Sequence, residues 1–253
     1  PYRTRNHPTG AATAALIFNI RLMVFRSIMT ALLRRDNMKM IKLSLKEARM
    51  CFSEFKITRK DKVLKKYRGR QEEAVIPDGV TRIDDKAFYG CASIKRVIVP
   101  DSVKSIGWAA FSDCENLENI VLPESVNAVG NNAFNGCKNL KNVTIKGSIS
   151  KLSLGMFFGC GSLESITIPD GVTRVEEGAF GNCSSLKSIT FPASIRYIEY
   201  GAYEGCSSLV EIVYGGTRAQ WKRVKKMDTK FIPLKCTDDV PDSAGEGGDT
   251  AAN

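Results

Sequence analysis

Histidine is almost missing: His7 is the single one in 253 residues. That removes most zinc sites and most chemistry in which an imidazole serves as base or proton shuttle. The eight cysteines form no CxxC pair, so the short ligand spacing of a structural metal site is missing as well. No metal and no cofactor is expected. Neither a G-x-x-x-x-G-K-[ST] nor a G-x-G-x-x-G stretch follows a strand and opens a helix, which removes the usual phosphate cradles. Long apolar runs are short of membrane length. Ala11–Leu33 is interrupted by Arg21 and Arg26, each costing about 2.5–3.5 kcal/mol at a bilayer centre.

The chain is short of acid at one end and of base at the other. Residues 1–76 carry 18 Lys/Arg against 6 Asp/Glu, and residues 215–236 carry 7 against 1. Residues 77–214 carry 12 against 15, and residues 237–253 carry 5 acids and no base. The formal charge of +10 is therefore a property of the flanks. A surface that tracks phosphates needs its cations on the folded face, so nucleic acid is disfavoured as a partner.

What the chain does have is an internal period. Units begin at Pro77, Pro100, Pro123, Lys146, Pro169 and Pro192, every 23 residues and without insertion. Val80, Val103, Val126, Ile149, Val172 and Ile195 form one apolar column, and Ile83, Ile106, Val129, Leu152, Val175 and Ile198 the next. Phe88, Phe111, Phe134, Phe157, Phe180 and Tyr203 place one aromatic in each unit. Cys91, Cys114, Cys137, Cys160, Cys183 and Cys206 follow three residues later. Each unit closes with an L-x-x-I-x-I segment, whose inner residues are Val97 and Val99 in the first unit and Ile166 and Ile168 in the fourth.

One unit cannot bury its own apolar residues, but stacked units can. The I-x-I end alternates in and out with the strand period of two, so equivalent strands are expected to pair in parallel about 4.8 Å apart. The A-F-x-x-C stretch is expected to form a short helical or 3₁₀ turn that drops the aromatic inward. The expected fold is a mostly β member of the α/β-type solenoids: a right-handed superhelix of six 23-residue repeats with parallel strands and terminal caps.

The unit P-[DE]-[SG]-V-x-x-I-G-x-x-A-F-x-x-C-x-x-L-x-x-I-x-[IL] resembles the BspA-like branch of leucine-rich repeats. The resemblance covers residues 77–214, and it extends to the lead-in Val63–Val80 and the closing segment Tyr214–Val224. It implies a non-enzymatic recognition or adhesion module with a protein or matrix ligand at a bacterial cell surface. No secretory signal is recognisable, which keeps an intracellular scaffold or regulator as the alternative. The fourth unit departs from the pattern at Lys146, Leu152-Ser153 and Leu154-Gly155-Met156, and a local distortion, not a break, is expected there.

A solenoid leaves its end cores bare unless something covers them. Residues 46–76 read as the N-terminal cap, with Phe55-Lys56-Ile57 and Val63-Leu64 as its apolar strands. Residues 215–236 read as the C-terminal cap: Thr217 as N-cap of a helix over Arg218–Lys226, with Trp221 folded over the sixth unit. Its cations Lys222, Arg223, Lys225 and Lys226 read as a solvated helix face, with a basic docking site as the alternative. Residues 1–45 read as a poorly ordered basic leader, helix-forming at 11–35 and able to touch a membrane surface. The start at Pro1 reads as a fragment or a processed end. Residues 237–253 read as a disordered acidic tail.

Two chemical possibilities weaken on inspection. The cysteine ladder reads as small apolar residues closing a tight turn. The pairs Asp84-Asp85 and Glu176-Glu177 would point to opposite sides of a short strand and so would not converge on one atom. The outward columns of the L-x-x-I-x-I strands are the candidate binding face. These are Arg96, Asn119, Asn142, Ser165 and Ser188, and beside them Ile98, Val121, Thr144, Thr167 and Thr190. Lys95, Glu118, Lys141, Glu164 and Lys187 alternate in sign at the strand starts. Trp108, Leu154, Phe158 and Tyr200 fall where the pattern leaves the residue free, as apolar anchors or as packing against neighbouring turns.

Overall fold

The structure is a computed structural model that describes residues 54–58, 60–227 and 232–239. The leader 1–45 and the tail from residue 240 lie outside the described residues.

Three strands precede the repeats: β1 (Phe55–Ile57), β2 (Val63–Tyr67) and β3 (Glu73–Val75). Each repeat then adds a two-residue strand from its V-x-x-I stretch and a longer one from its I-x-I end. The short strands are β4 (Arg82–Ile83), β6 (Ser105–Ile106), β8 (Ala128–Val129), β10 (Lys151–Leu152), β12 (Arg174–Val175) and β14 (Tyr197–Ile198). The longer strands are β5 (Arg96–Ile98), β7 (Asn119–Leu122), β9 (Asn142–Ile145), β11 (Ser165–Thr167), β13 (Ser188–Phe191) and β15 (Glu211–Tyr214). Helix α1 (Arg218–Arg223), β16 (Lys225–Lys226) and β17 (Leu234–Cys236) close the array.

Equivalent strands pair in parallel at the repeat period, Ile166 with Ile189 and Ile189 with Ile212. Side chains 23 apart therefore stack, and one continuous core runs from Phe55 to Ile232. Its spine is a column of rings. Tyr67, Phe88, Phe111, Phe134, Phe157 and Phe180 stack at centroid separations between 4.7 and 5.7 Å. Each such pair adds about 0.5–1.5 kcal/mol beyond simple burial. Tyr203 continues the column and is buried.

The A-F-x-x-C stretch is not helical or 3₁₀ as expected. It is a chain of tight turns, with Ala87 N–H donating to Asp84, Tyr89 to Lys86 and Cys91 to Phe88. Two left-handed residues per repeat prevent a helix. One column is Lys86, Ala109, Asn132, Gly155, Gly178 and Gly201, the other Gly90, Asp113, Gly136, Gly159, Asn182 and Gly205. Positive φ at two points makes the chain double back instead of winding on.

The caps are coils in their own right. β1 and β2 form an antiparallel hairpin, and β2 and β3 pair in parallel with β4 and β5 of the first repeat. Tyr67 thereby supplies the ring that a repeat would supply with phenylalanine. At the other end the helix is shorter than expected. It stops at Arg223 because Lys225–Lys226 leave it to pair with β14, and β17 pairs with β15. Thr217 caps the helix with its hydroxyl on Gln220 N–H while the Gln220 amide returns to Thr217 N–H. Trp221 lies 5.0 Å from the ring of Tyr214 and 6.0 Å from that of Phe191. The reading of 237–253 as one disordered tail also needs correction. Asp238 and Asp239 hold Arg218, the former at its backbone N–H and the latter at the guanidinium.

Among the described residues both strand ladders break once, between β8 and β10 and between β9 and β11. The fourth repeat, expected to be distorted but not broken off, thus shares no strand ladder with the third. Gly147 is buried so closely against the third repeat that a Cβ there would lie 2.0 Å from the Val126 carbonyl oxygen. The turns stay connected across this junction: Asn132, Phe134 and Gly136 N–H donate to Leu154, Met156 and Phe158.

Candidate functional site

The outward columns of the longer strands lie where alternation puts them. Arg96, Asn142, Thr144, Ser165 and Thr167 are exposed, and Ile98, Asn119, Ser188 and Thr190 are partly so. Val121 is 44 % exposed, an apolar point between the partly exposed Ile98 and the polar Thr144 of its column. Neighbouring side chains hold one another. The Asn142 amide donates to that of Asn119 at 2.7 Å, and Arg96 pairs with Glu73 at 3.1 Å. The charged column pairs in twos: Lys95 with Glu72, Lys141 with Glu118, Lys187 with Glu164. Such exposed pairs are worth about 0.2–1 kcal/mol each and act mainly on register.

A single six-strand face is not what forms. Arg96, Asn119 and Asn142 are in register with one another, and Ser165 is in register with Ser188, but Asn142 and Ser165 are not paired. The columns continue in sequence and β9 and β11 remain neighbours, but no ladder hydrogen bonds join them. The face is two four-strand panels, β3-β5-β7-β9 and β11-β13-β15-β17, each with three repeat strands.

The cysteine ladder does more than fill space. Each thiol from Cys114 to Cys206 donates to the phenylalanine carbonyl of the preceding repeat, at 3.0–3.3 Å. Burial raises the thiol pKa values, that of Cys114 to about 12, and Cys137, Cys160 and Cys183 are also held protonated. For Cys183 the interaction with the Cys206 sulfur is the largest cause, and burial adds to it. A nucleophile needs the opposite, a lowered pKa and an open approach. Cys91 is the exception in position: it heads the ladder and is half-buried.

One carboxylate pair, Asp84-Asp85, behaves differently from expectation. Asp84 and Asp85 both reach the Arg82 guanidinium, at 3.2 and 3.1 Å. They sit past the end of β4, in the turn, where strand alternation no longer applies. Two cations hold Asp84 below the ordinary carboxylate range: Lys65 and Arg82 outweigh its burial. Asp85 and Glu176 also accept backbone N–H groups, from Trp108 and Leu154. These carboxylates are tied into the scaffold. Among the described residues no group of three or more His, Cys, Asp or Glu could hold a metal ion.

The turn side carries most of the exposed large apolar residues. Trp108, Leu154, Phe158 and Tyr200 all project to solvent, and Tyr89, Tyr197 and Met227 join them. Lys86 lies over both Tyr89 and Trp108, at 5.3 and 4.5 Å from the ring centroids. The sequence reading missed Tyr197. Its column otherwise holds Arg82, Ser105, Ala128, Lys151 and Arg174, and an aromatic in a polar column was the available signal. Of the basic cap, Lys226 is folded in, donating to the Trp221 and Val224 carbonyls.

With this geometry in place, the chain can be compared with known proteins. The family model described as BspA type leucine rich repeat region, in six copies, matches residues 66–183 and 153–220. The chain belongs to this family, whose members are typically protein-interaction modules and generally non-enzymatic binding scaffolds. Among solved structures it is similar to the leucine-rich repeat protein of T. pallidum. That match has 33 % identity and a TM-score of 0.60, covering 63 % of this chain and 79 % of that one. A leucine-rich repeat protein from Eubacterium ventriosum matches at 21 % identity and a TM-score of 0.58. This second match covers 75 % of the present chain and 50 % of that chain, and supports the fold alone. Comparison with curated proteins finds no match.

Proposed function

We propose that this chain is a non-enzymatic recognition module that holds a protein or matrix ligand against the outward side of its longer strands. The supporting observation is the set of short Asn, Ser and Thr side chains held in register by backbone pairing, with Val121 exposed among them. A surface fixed before binding loses little conformational entropy when a partner arrives. Adhesion at a cell surface is the finer form of this reading.

The test is binding of the full chain to an immobilised panel of extracellular-matrix proteins. Thr144→Arg and Thr167→Arg place a large charge on each panel and should abolish saturable binding, whereas Trp108→Ala on the turn side should not. Binding that survives both arginine variants sinks the strand-face reading.

An intracellular scaffold is the second reading. It is favoured by cysteines that form no disulfide among the described residues, an arrangement at home in a reducing compartment. Fractionation of the tagged full-length gene product separates the two.

A further inference from the structure

A groove of about 550 Å³ opens on the turn side of the last coils, where the sixth repeat meets the C-terminal cap. Its floor is a three-strand register: Arg174 on β12, Tyr197 on β14 and Lys225 on β16 lie side by side. The Tyr197 ring is flanked by both cations, with the Arg174 guanidinium at 5.6 Å and the Lys225 ammonium at 5.5 Å from its centroid. Tyr200 lines the same groove and is 64 % exposed. Glu177 and Glu199 complete the polar lining.

The groove is held in shape by its own polar groups. Glu199 accepts from Arg174 Nε at 2.6 Å and from Glu177 N–H at 3.1 Å. Two carboxylates thus face two cations, and the lining has no net charge. An anionic polymer would meet Glu177 and Glu199, and a basic peptide would meet Arg174 and Lys225. An amphipathic helix would need a broad apolar stripe, whereas the exposed apolar surface here is two phenol rings and Met227. A pyranose fits all of these constraints. Its axial C–H face stacks on an aromatic ring, and its hydroxyls donate to carboxylates and accept from guanidinium and ammonium groups. Sites of about 300–1,000 Å³ suit small ligands, here a short run of sugar units.

We propose that this groove binds a neutral oligosaccharide, with Tyr200 as the stacking platform, Tyr197 holding Arg174 and Lys225 in place over its ring, and Arg174, Glu177, Glu199 and Lys225 as hydroxyl partners. The site is separate from the strand face and does not depend on it.

The experiment is NMR or calorimetric titration of the full chain with maltohexaose, cellohexaose and chitohexaose. At least one should bind saturably in the millimolar range or tighter. Tyr197→Ala and Tyr200→Ala should each weaken it about tenfold or more, with the circular dichroism spectrum unchanged. Both rings are substantially exposed, so neither substitution empties the core. Trp108→Ala should leave the affinity as it was, and added salt should hardly change it. Failure of all three sugars to saturate overturns the proposal, as does binding indifferent to both tyrosines or falling steeply with salt. Because the matrix-panel experiment reads Thr144 and Thr167, either reading can fail without the other.

Discussion

In the first three repeats the left-handed turn residue is Lys86, Ala109 or Asn132, whereas in the last three it is Gly155, Gly178 or Gly201. The next difference lies beside it. The first repeat ties itself forward, Asp85 accepting Trp108 N–H of the following repeat. The fifth and sixth repeats tie themselves backward, Glu176 accepting Leu154 N–H and Glu199 accepting Glu177 N–H of the preceding one. Forward ties need a small residue above the carboxylate, and Gly107 supplies it: a Cβ there would lie 2.3 Å from Asp85 Oδ1. Backward ties need a long acid in that same column, which Glu176 and Glu199 provide. At the junction of the halves neither device is present. Ser153 stands there, and its hydroxyl donates to the Val129 carbonyl at 2.6 Å. One period thus accommodates two sets of side chains, and the strand ladders are interrupted where the sets meet.

The comparison makes the aromatic column the main bond between the halves. Removing its ring at the junction should have the largest effect. Phe157→Ala should cost about 3–5 kcal/mol, as truncation of a buried ring does. Phe111→Ala, inside the first half, should cost a similar amount, because it leaves a similar cavity. The shapes of the two unfolding curves should differ. With Phe157→Ala the halves should separate into two urea transitions, since the turns, the Ser153 and Cys160 bonds and the remaining aliphatic core then join them without any strand ladder. With Phe111→Ala the strands on both sides still pair, and one transition should remain. Two coincident single transitions would contradict the idea of a weak junction.

Ser153 comes next. It is buried, and Ser153→Ala would leave the Val129 carbonyl without the hydroxyl. A buried polar group that loses its partner costs about 1–3 kcal/mol. The loss should show as a lower urea midpoint. An unchanged midpoint would mean that the serine only fills the place of the glycine found in the second and third repeats.

Most of this fold could be read from spacing, because burial acts on every repeat alike: the valine, isoleucine, phenylalanine and leucine columns had to face one core. What broke the period was hidden. Tyr67 completes the ring column from 21 residues before Phe88 and not 23, so no column contains it. β17 reads L-K-C and carries none of the I-x-I signal. The strands on either side of the broken junction have ordinary sequences, and the gap falls before the repeat that opens with Lys146-Gly147 where the others open with proline. For the sites the division is similar. The polar columns of the strand face followed from alternation, but their interruption did not. The groove depends on Lys225 lying beside Tyr197, 28 residues away, a distance set by the short helix between them.

The two halves should also respond unequally to substitution in the left-handed column. Gly178→Ala introduces a Cβ whose nearest contact, Phe158 Cδ2 at 3.6 Å, is ordinary, so its cost is purely one of backbone. An L-residue in that region costs about 1–2 kcal/mol. Ala109 already sits at φ 48°. In Ala109→Gly the relief of strain is offset by the lost buried methyl, about 0.8 kcal/mol, and by chain entropy of about 0.5–1 kcal/mol. The change should therefore lie close to zero. Equal and opposite effects from the two variants, read as shifts in thermal midpoint, would show that strain alone governs the column and that the halves do not differ there.

The smallest expected effect concerns the cap of the first half. Tyr67 does the work of a repeat phenylalanine, yet its buried hydroxyl makes no well-formed hydrogen bond among the described residues, the Gln71 backbone being its nearest approach to one. Burial, aided by the Glu54 carboxylate, pushes its pKa up to about 12, so the phenol stays neutral. The ring stacks on Phe88 and lies 5.0 Å from Phe55, and neither contact uses the oxygen. Tyr67→Phe keeps both contacts and removes an unsatisfied polar atom. Deleting such a group should stabilise the chain by up to about 1 kcal/mol, a rise of a few degrees at most in the thermal midpoint. Gly69 lies against the oxygen, where a Cβ would come within 2.2 Å of it. A lower midpoint for Tyr67→Phe would mean that the hydroxyl is bonded after all, and that this first coil is fixed by a polar contact where the six that follow are fixed by rings.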